Sequence, residues 1–178
     1  VELAKLFDVQ IWGWFREHIA FIESYYKQCM RNPQIDNNPC YGKSLSFSEI
    51  LNIPWFTQHL DYQGFIDDCR SMFGHQNVSV FEYKGDVVQE LIQKLGLATP
   101  HDNPTPRQNK SLNAAAINIL QTINRYNLTA KDKELLIPHL KEMNAVLETY
   151  AQNDLINEDA KIRVLELSSP KDFNSLFS

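Results

Sequence analysis

Two residues near the amino-terminal end of the sequence, Arg16 and Ser24, have types and a spacing suited to holding a phosphate group. Arg16 ends a segment that predicts a strand, and Ser24 lies eight residues later in a segment that predicts a helix. Arginine offers a planar fork of donors that matches phosphate oxygens, and serine adds a short neutral donor. An arginine at the carboxyl end of a strand points into the crevice where α/β sheets bind ligands, and a serine two turns along the helix can reach it. The pair therefore predicts one phosphate half-site.

Both residues also have ordinary structural interpretations, and the sequence alone leaves these open. Arg16 can cap the strand end or pair with Glu17 or Glu23, and such an ion pair needs no ligand. Ser24 can donate back to a carbonyl of its own helix, as many helical serines do. His18 is the histidine nearest to the predicted half-site, but nothing in the sequence identifies it or any other residue as catalytic.

The segments around Arg16 and Ser24 predict a strand, a turn and a helix. Aromatic and β-branched residues dominate positions 7–15, which predicts a buried strand. Apolar residues then recur every three or four positions over 18–30, which predicts a helix with one apolar face. A loop over 32–43 contains two prolines and a glycine, and Ser46 with Glu49 forms a capping box that opens a short helix.

The rest of the chain repeats this alternation and then becomes helical. The predicted elements are a helix from its cap Asp61 to Gly74, a strand over 78–83, and a helix over 87–95 closed by Gly96. Beyond a surface connection over 98–110, we expect three helical segments. They are 112–126 capped by Ser111, 130–151 capped by Thr129 and broken at Pro138, and 158–167 capped by Asn157. Residues 1–97 thus predict strand–helix units of an α/β core, and 98–178 a helical extension of the same domain.

Composition restricts the classes of function. A chain of 178 residues with 43% hydrophobic residues is long enough for one domain with a core. A net charge of -5 argues against general nucleic-acid binding, because neutralising phosphates requires a surplus of Lys and Arg. The three cysteines show neither a CxxC nor a zinc-type spacing, so we expect reduced thiols and no metal site. No stretch is apolar enough for a membrane span, and we expect a cytoplasmic protein.

The stretch WFREHIAFIESYYKQ resembles the segment of sulfotransferases in which a strand ends in arginine and the next helix carries serine and then paired aromatic residues. In that family these two residues bind the 3′-phosphate of the donor, 3′-phosphoadenosine 5′-phosphosulfate. The resemblance implies the same role for Arg16 and Ser24. It also implies this nucleotide as the cofactor.

The resemblance extends over most of the chain. SLSFSEIL and the run LDYQGFIDDCRSMFGHQNVSVFEYKGDVVQELIQKLGL are similar to the helix–strand–helix region of bacterial members. PRQNKSLN resembles the element that opens their carboxyl-terminal helices, which implies a second binding element formed by Arg107, Asn109 and Ser111. Single elements are of low specificity, and the resemblance depends on their order.

The resemblance implies an α/β, P-loop-NTPase-like sulfotransferase fold in truncated form, with few parallel strands and many helices. The implied reaction is transfer of a sulfuryl group to a hydroxyl or amine on a small-molecule or glycan acceptor. The family's phosphate loop would precede Val1, and no glycine-rich Lys/Arg/Ser/Thr loop occurs in these residues, so we expect the chain to be inactive without such a loop.

A non-enzymatic alternative is a scaffold or partner-binding protein derived from the same fold. Two strands cannot form a stable parallel sheet alone, since both faces and both edges of such a sheet need cover. An exposed apolar edge would favour a partner chain or a homo-oligomer.

Overall fold

The computed structural model describes residues 7–97, 111–149 and 155–177. It is mixed α/β and mostly helical, with one two-stranded parallel sheet in the described ranges, as the sequence predicts. The chain divides into two units. The first contains residues 1–18, 60–106 and 168–178, and the second contains 19–59 and 107–167.

The sheet of the first unit pairs β1 (Ile11–Phe15) with β2 (Val78–Glu82). The strands are parallel, and their register runs from Ile11 opposite Val78 to Phe15 opposite Glu82. Both predicted strands are confirmed. The strand predicted over 7–15 begins only at Ile11, because the apolar and aromatic residues that suit a strand are concentrated in the second half of that range.

Each face of this sheet carries a different set of side chains, because side chains alternate along a strand. Phe15 and its neighbours on one face pack on helix α4 (Tyr62–Phe73), where the rings of Phe15 and Phe65 lie 6.3 Å apart. Trp14 and Phe81 lie on the other face with their rings 5.3 Å apart. Helix α5 (Val87–Lys94) follows β2 and places the Lys94 ammonium 3.8 Å from the centre of the Phe81 ring.

A carboxyl-terminal segment is joined to the start of α4 by backbone hydrogen bonds. The Gln63 N–H donates to the Ser169 carbonyl and the Ser169 N–H donates to the Leu60 carbonyl, both at 3.0 Å. Asp61 caps α4 as predicted, since its carboxylate accepts the Gly64 N–H at 2.9 Å. Helix α4 ends at Gly74, whose φ of 90° favours glycine. These bonds fix Ser169 beside the amino-terminal end of α4.

The second unit is helical. Its helices are α1 (His18–Arg31), α2 (Phe47–Ile50), α3 (Pro54–Thr57), α6 (Ala114–Ile123), α7 (Ala130–Glu142), α8 (Asn144–Glu148) and α9 (Glu158–Leu167). The first residue of α1, His18, belongs to the first unit, and the rest of α1 belongs to the second. Residues Ile22, Tyr26 and Met30 of α1 form one buried face, as the three- and four-residue spacing predicts. The predicted capping box of Ser46 with Glu49 is confirmed and opens α2. The predicted cap Thr129 is confirmed as well, and in the structure it forms a capping box with Asp132 that opens α7.

Two predictions about helix boundaries are wrong. The cap of α6 is Asn113 and not Ser111, because Asn113 accepts the Ala116 N–H at 2.9 Å and is itself held by two hydrogen bonds to Asn144. Helix α7 continues through Pro138 and ends before Met143. The proline is exposed, and only one main-chain hydrogen bond is lost there, so the flanking helical bonds are enough to carry the helix through.

A buried lysine closes the carboxyl-terminal end of α1. Lys133 is 2% exposed, and its ammonium donates to the Met30 carbonyl at 2.6 Å and to the Asn124 side-chain oxygen. The Asn124 amide donates in turn to the carbonyls of Met30 and Lys43, each at 3.2 Å. These donors satisfy carbonyls that the end of a helix leaves without partners. Burial lowers the pKa of Lys133 from its ordinary 10.5 to about 8.

This lowered pKa predicts that Lys133 makes stability rise with pH between about 8 and 10.5. In that window the unfolded chain retains a proton that the folded chain has lost, so raising the pH favours the folded state. The buried thiols of Cys29 and Cys40, whose pKa values burial raises to about 12 and about 11, act in the opposite direction above 9.0. The measurement is therefore the difference in urea unfolding free energy between the parent chain and Lys133→Met across this window. A constant difference would contradict the prediction.

Candidate functional site

Arg16 lies at the carboxyl end of the parallel sheet, directly after Phe15 of β1. Tyr83 directly follows β2 at the same end, and its N–H donates to the Phe15 carbonyl at 2.7 Å. The Arg16 guanidinium carbon lies 4.5 Å from the centre of the Tyr83 ring. A cation over an aromatic face at this distance is attracted by the ring quadrupole. The sheet thus places an oriented guanidinium where parallel sheets bind ligands.

A buried tyrosine from α4 fixes the backbone at Arg16. The Tyr62 hydroxyl donates to the Arg16 carbonyl at 3.0 Å, and its ring lies 4.9 Å from that of Phe15. Burial raises the pKa of Tyr62, so the hydroxyl keeps its proton and remains a donor. Arg16 itself is half-buried. Its main chain is therefore held from α4, and its side chain lies over Tyr83.

His18, the first residue of α1, is packed inside the first unit. It is 1% exposed, and its ring stacks on Tyr62 at 4.3 Å and meets the edge of Phe173 at 5.7 Å. The carbonyls of Leu60 and Ser169 lie near the imidazole, but neither ring nitrogen reaches them in ordinary hydrogen-bond geometry. Burial lowers the pKa of His18, opposed in part by the Glu17 carboxylate. The imidazole is therefore neutral at pH 7 and has a packing role.

The lowered pKa of His18 predicts a loss of stability in acid. The folded state resists protonation of this imidazole, whereas the unfolded chain takes up a proton near pH 6.5, so stability falls as the pH decreases through that value. We expect His18→Phe, which keeps an aromatic ring against Tyr62, to be less acid-sensitive than the parent chain.

Urea unfolding between pH 7 and about pH 5 measures this difference. His59→Phe is the matched control, because His59 lies in the second unit and outside this cluster. Equal acid sensitivity in the parent chain and His18→Phe would contradict the assignment.

Ser24 and Arg16 belong to different units of the structure. Ser24 is exposed on α1, on the side away from the buried Ile22 and Tyr26, and it belongs to the second unit, whereas Arg16 belongs to the first. Glu23, one acid that the sequence offers as a partner for Arg16, pairs with Lys27 at 2.6 Å. The exposed hydroxyl of Ser24 is accessible to a ligand.

Of the second binding element predicted from the sequence, only Ser111 lies within the described residues. Arg107 and Asn109 lie outside the described residues. Ser111 is exposed, and its hydroxyl lies 3.4 Å from the Leu112 carbonyl, while its own carbonyl accepts from the Asn144 amide at 3.0 Å. Ser111 is thus free of the capping role that the sequence assigned to it.

Sequence reasoning missed Tyr62 and Tyr83 as neighbours of Arg16. The position of Tyr83 carries a usable signal, since a residue that directly follows one parallel strand lies beside the residue that directly follows its neighbour. Tyr62 carries no such signal, because its contact with Arg16 joins residues 46 positions apart in the chain.

No family model, curated protein or solved structure matches this chain. Within the described ranges, no three His, Cys, Asp or Glu side chains are grouped as metal ligands would be. The described helices include none with the length and apolarity that crossing a bilayer requires. Cys29, Cys40 and Cys69 are buried free thiols.

The arrangement around Arg16 is suited to binding an anion. The guanidinium offers several donors in a planar fork that matches phosphate oxygens. The exposed Glu17 carboxylate opposes this attraction. A single phosphate engaged by the arginine fork is the ligand that this chemistry fits best.

Proposed function

We propose that this chain is a sulfotransferase-like protein that binds the 3′-phosphate of 3′-phosphoadenosine 5′-phosphosulfate. Arg16 is the phosphate ligand in this proposal. The observation that carries it is the position of Arg16 at the carboxyl end of β1, with its guanidinium oriented over Tyr83 at 4.5 Å. The order of segments that resembles sulfotransferases supports the choice of this nucleotide among phosphate ligands.

The charge of the chain agrees with a local anion site. A net charge of -5 gives no general attraction for polyanions, so a phosphate would be held by fixed donors at one place. Arginine suits that task better than lysine, because its planar fork engages two phosphate oxygens at once. The Tyr83 ring restricts the guanidinium before a ligand arrives, which reduces the entropy lost on binding.

The proposed reaction moves a sulfuryl group from the nucleotide to a hydroxyl or amine of an acceptor. Positioning and charge neutralisation on the moving group supply most of the catalysis in such a transfer. A phosphate loop normally provides both, and these 178 residues contain no glycine-rich loop of that kind. We therefore propose nucleotide binding for this chain, with sulfuryl transfer only where a phosphate loop is present, and a cytoplasmic location where that donor is available.

Titration calorimetry with 3′-phosphoadenosine 5′-phosphate tests the nucleotide site. We expect Arg16→Ala to weaken binding by roughly 10- to 100-fold, the loss of charge-assisted hydrogen bonds to one phosphate. Arg16→Lys should recover part of the affinity, because it restores charge without the fork. Arg163→Ala is the matched control, since Arg163 is exposed on α9 and pairs with Glu166 at 3.0 Å.

Adenosine 5′-monophosphate, which lacks the 3′-phosphate, separates the proposed contact from general nucleotide binding. Its affinity should be low and should not change in Arg16→Ala. Equal affinity of the parent chain and a folded Arg16→Ala for the 3′-phosphorylated nucleotide would remove the assignment.

A second candidate function is binding a partner chain, and the exposed apolar side chains of the first unit favour it. Val88 in α5 is 66% exposed, Leu95 directly after the helix is 53% exposed, and Leu97 is 59% exposed. Sedimentation of the chain alongside the calorimetry distinguishes the two candidates. Self-association without nucleotide binding supports a scaffold or homo-oligomer, and nucleotide binding by a monomer supports the sulfotransferase-like function.

A further inference from the structure

Residues 168–177 form a strap that is held at the start of α4 within the first unit. Ser169 makes an isolated bridge there with Asp61, and its main-chain hydrogen bonds join Leu60 and Gln63. The parallel sheet, in contrast, pairs five residues of each strand. The main chain of the strap is therefore attached more sparsely than a strand of the sheet, and its opening need not disrupt the sheet.

The strap also covers the His18 imidazole. The edge of the Phe173 ring meets the His18 ring at 5.7 Å, and Tyr62 of α4 stacks on the same imidazole at 4.3 Å. His18 is 1% exposed, and neither of its ring nitrogens has a hydrogen-bond partner among the described residues. A buried polar group without a partner costs free energy, and a buried charge costs more. Adding a proton to this ring therefore penalises the packed arrangement of α4 and the strap.

Two carbonyl groups lie near the imidazole, and both already accept hydrogen bonds that hold the strap. The Leu60 carbonyl accepts the Ser169 N–H, and the Ser169 carbonyl accepts the Gln63 N–H, each at 3.0 Å. An imidazolium in contact with these oxygens competes with the main-chain bonds of the strap. Opening the strap gives the ring access to water instead, which solvates a charge far better than packed rings do.

The charges next to His18 in the sequence are those of Arg16 and Glu17. The Arg16 guanidinium is directed at the Tyr83 ring, 4.5 Å from its centre. The Glu17 carboxylate favours protonation of the imidazole, but burial has the larger effect and lowers the pKa of His18. Burial therefore dominates the response of the ring to acid.

The elements packed against His18 bring further charged groups to this region. On the side of α4, the Asp61 carboxylate caps the helix. On the strap, Lys171 and Asp172 are both exposed and lie directly before Phe173. Because exposed charges are screened by solvent, these two strap residues compensate a buried charge only weakly.

We propose that proton uptake by His18 releases the strap from the start of α4 while the sheet stays folded. The open strap exposes Leu176, which is 5% exposed in the closed form, together with Phe173. It also uncovers the Tyr62 ring, whose hydroxyl holds the Arg16 main chain. Acid thus removes a cover from the first unit, and this opening requires no bound nucleotide.

Amide hydrogen exchange of the full 178-residue chain, read by NMR without nucleotide, tests this release. The Ser169 and Gln63 amides report the strap, and the Tyr83 amide, which donates to the Phe15 carbonyl, reports the sheet. Protection factors correct for the intrinsic pH dependence of exchange. They should fall about tenfold for the strap amides from about pH 7.5 to about pH 5.5, because only the open form takes up a proton near pH 6.5. The Tyr83 amide should keep its protection.

Two variants without a titratable ring, His18→Phe and His18→Gln, should lose this pH dependence. His59→Phe is the matched control and should retain it, because His59 lies in the second unit. The comparison of strap and sheet amides needs the parent chain alone, so it stands even where a variant does not fold.

Unchanged protection of the strap amides in the parent chain at the lower pH overturns the proposal. Higher protection also overturns it, since the imidazolium would then tighten the strap by donating to the Leu60 and Ser169 carbonyls. An equal loss of protection at Tyr83 would show opening of the whole unit, and an equal loss in a folded His18 variant would show a cause other than this ring. Either result overturns the proposal as well.

Discussion

The parallel pairing of β1 and β2 is the constraint on which the candidate phosphate site depends. In a parallel pair, the residues that follow the two strands lie side by side at one edge. This is why Arg16 and Tyr83, 67 positions apart in the sequence, come within 4.5 Å. The hydrogen bond from the Tyr83 N–H to the Phe15 carbonyl extends the pairing by one residue and fixes the register at this edge. A slip of one residue would move Tyr83 to the opposite face of the sheet and away from the guanidinium.

Both units contain a polar or titratable side chain that is buried at a junction between elements. In the first unit, the His18 imidazole lies between Tyr62 and Phe173, close to the carbonyls of Leu60 and Ser169. In the second unit, the Lys133 ammonium closes the end of α1 through the Met30 carbonyl and Asn124. Burying such groups is costly unless they find partners or lose their charge, and the lowered pKa values of both reflect that cost.

Local signals predicted most of the elements but not the contacts that complete the sites. The capping boxes at Ser46 and Thr129 and the helix start at Asp61 depend on residues within four positions of each other, so the sequence is enough to locate them. The start of α6 is different, because Asn144 holds Asn113 from 31 positions away and thereby sets the cap. Pro138 signalled a break that neighbouring helical hydrogen bonds override.

The candidate sites follow the same division. The position of Arg16 after a strand was predictable from its neighbours, whereas its contacts with Tyr62 and Tyr83 depend on tertiary pairing.

The orientation of the Arg16 guanidinium is the central claim, and its own NMR signal tests it most directly. We expect the Arg16 Nε–H resonance to be shifted by the Tyr83 ring in the free protein and to lose that ring shift in Tyr83→Leu. We also expect a saturable further shift on adding 3′-phosphoadenosine 5′-phosphate and none on adding adenosine 5′-monophosphate. A resonance that is unaffected by Tyr83→Leu and by both nucleotides would contradict the account.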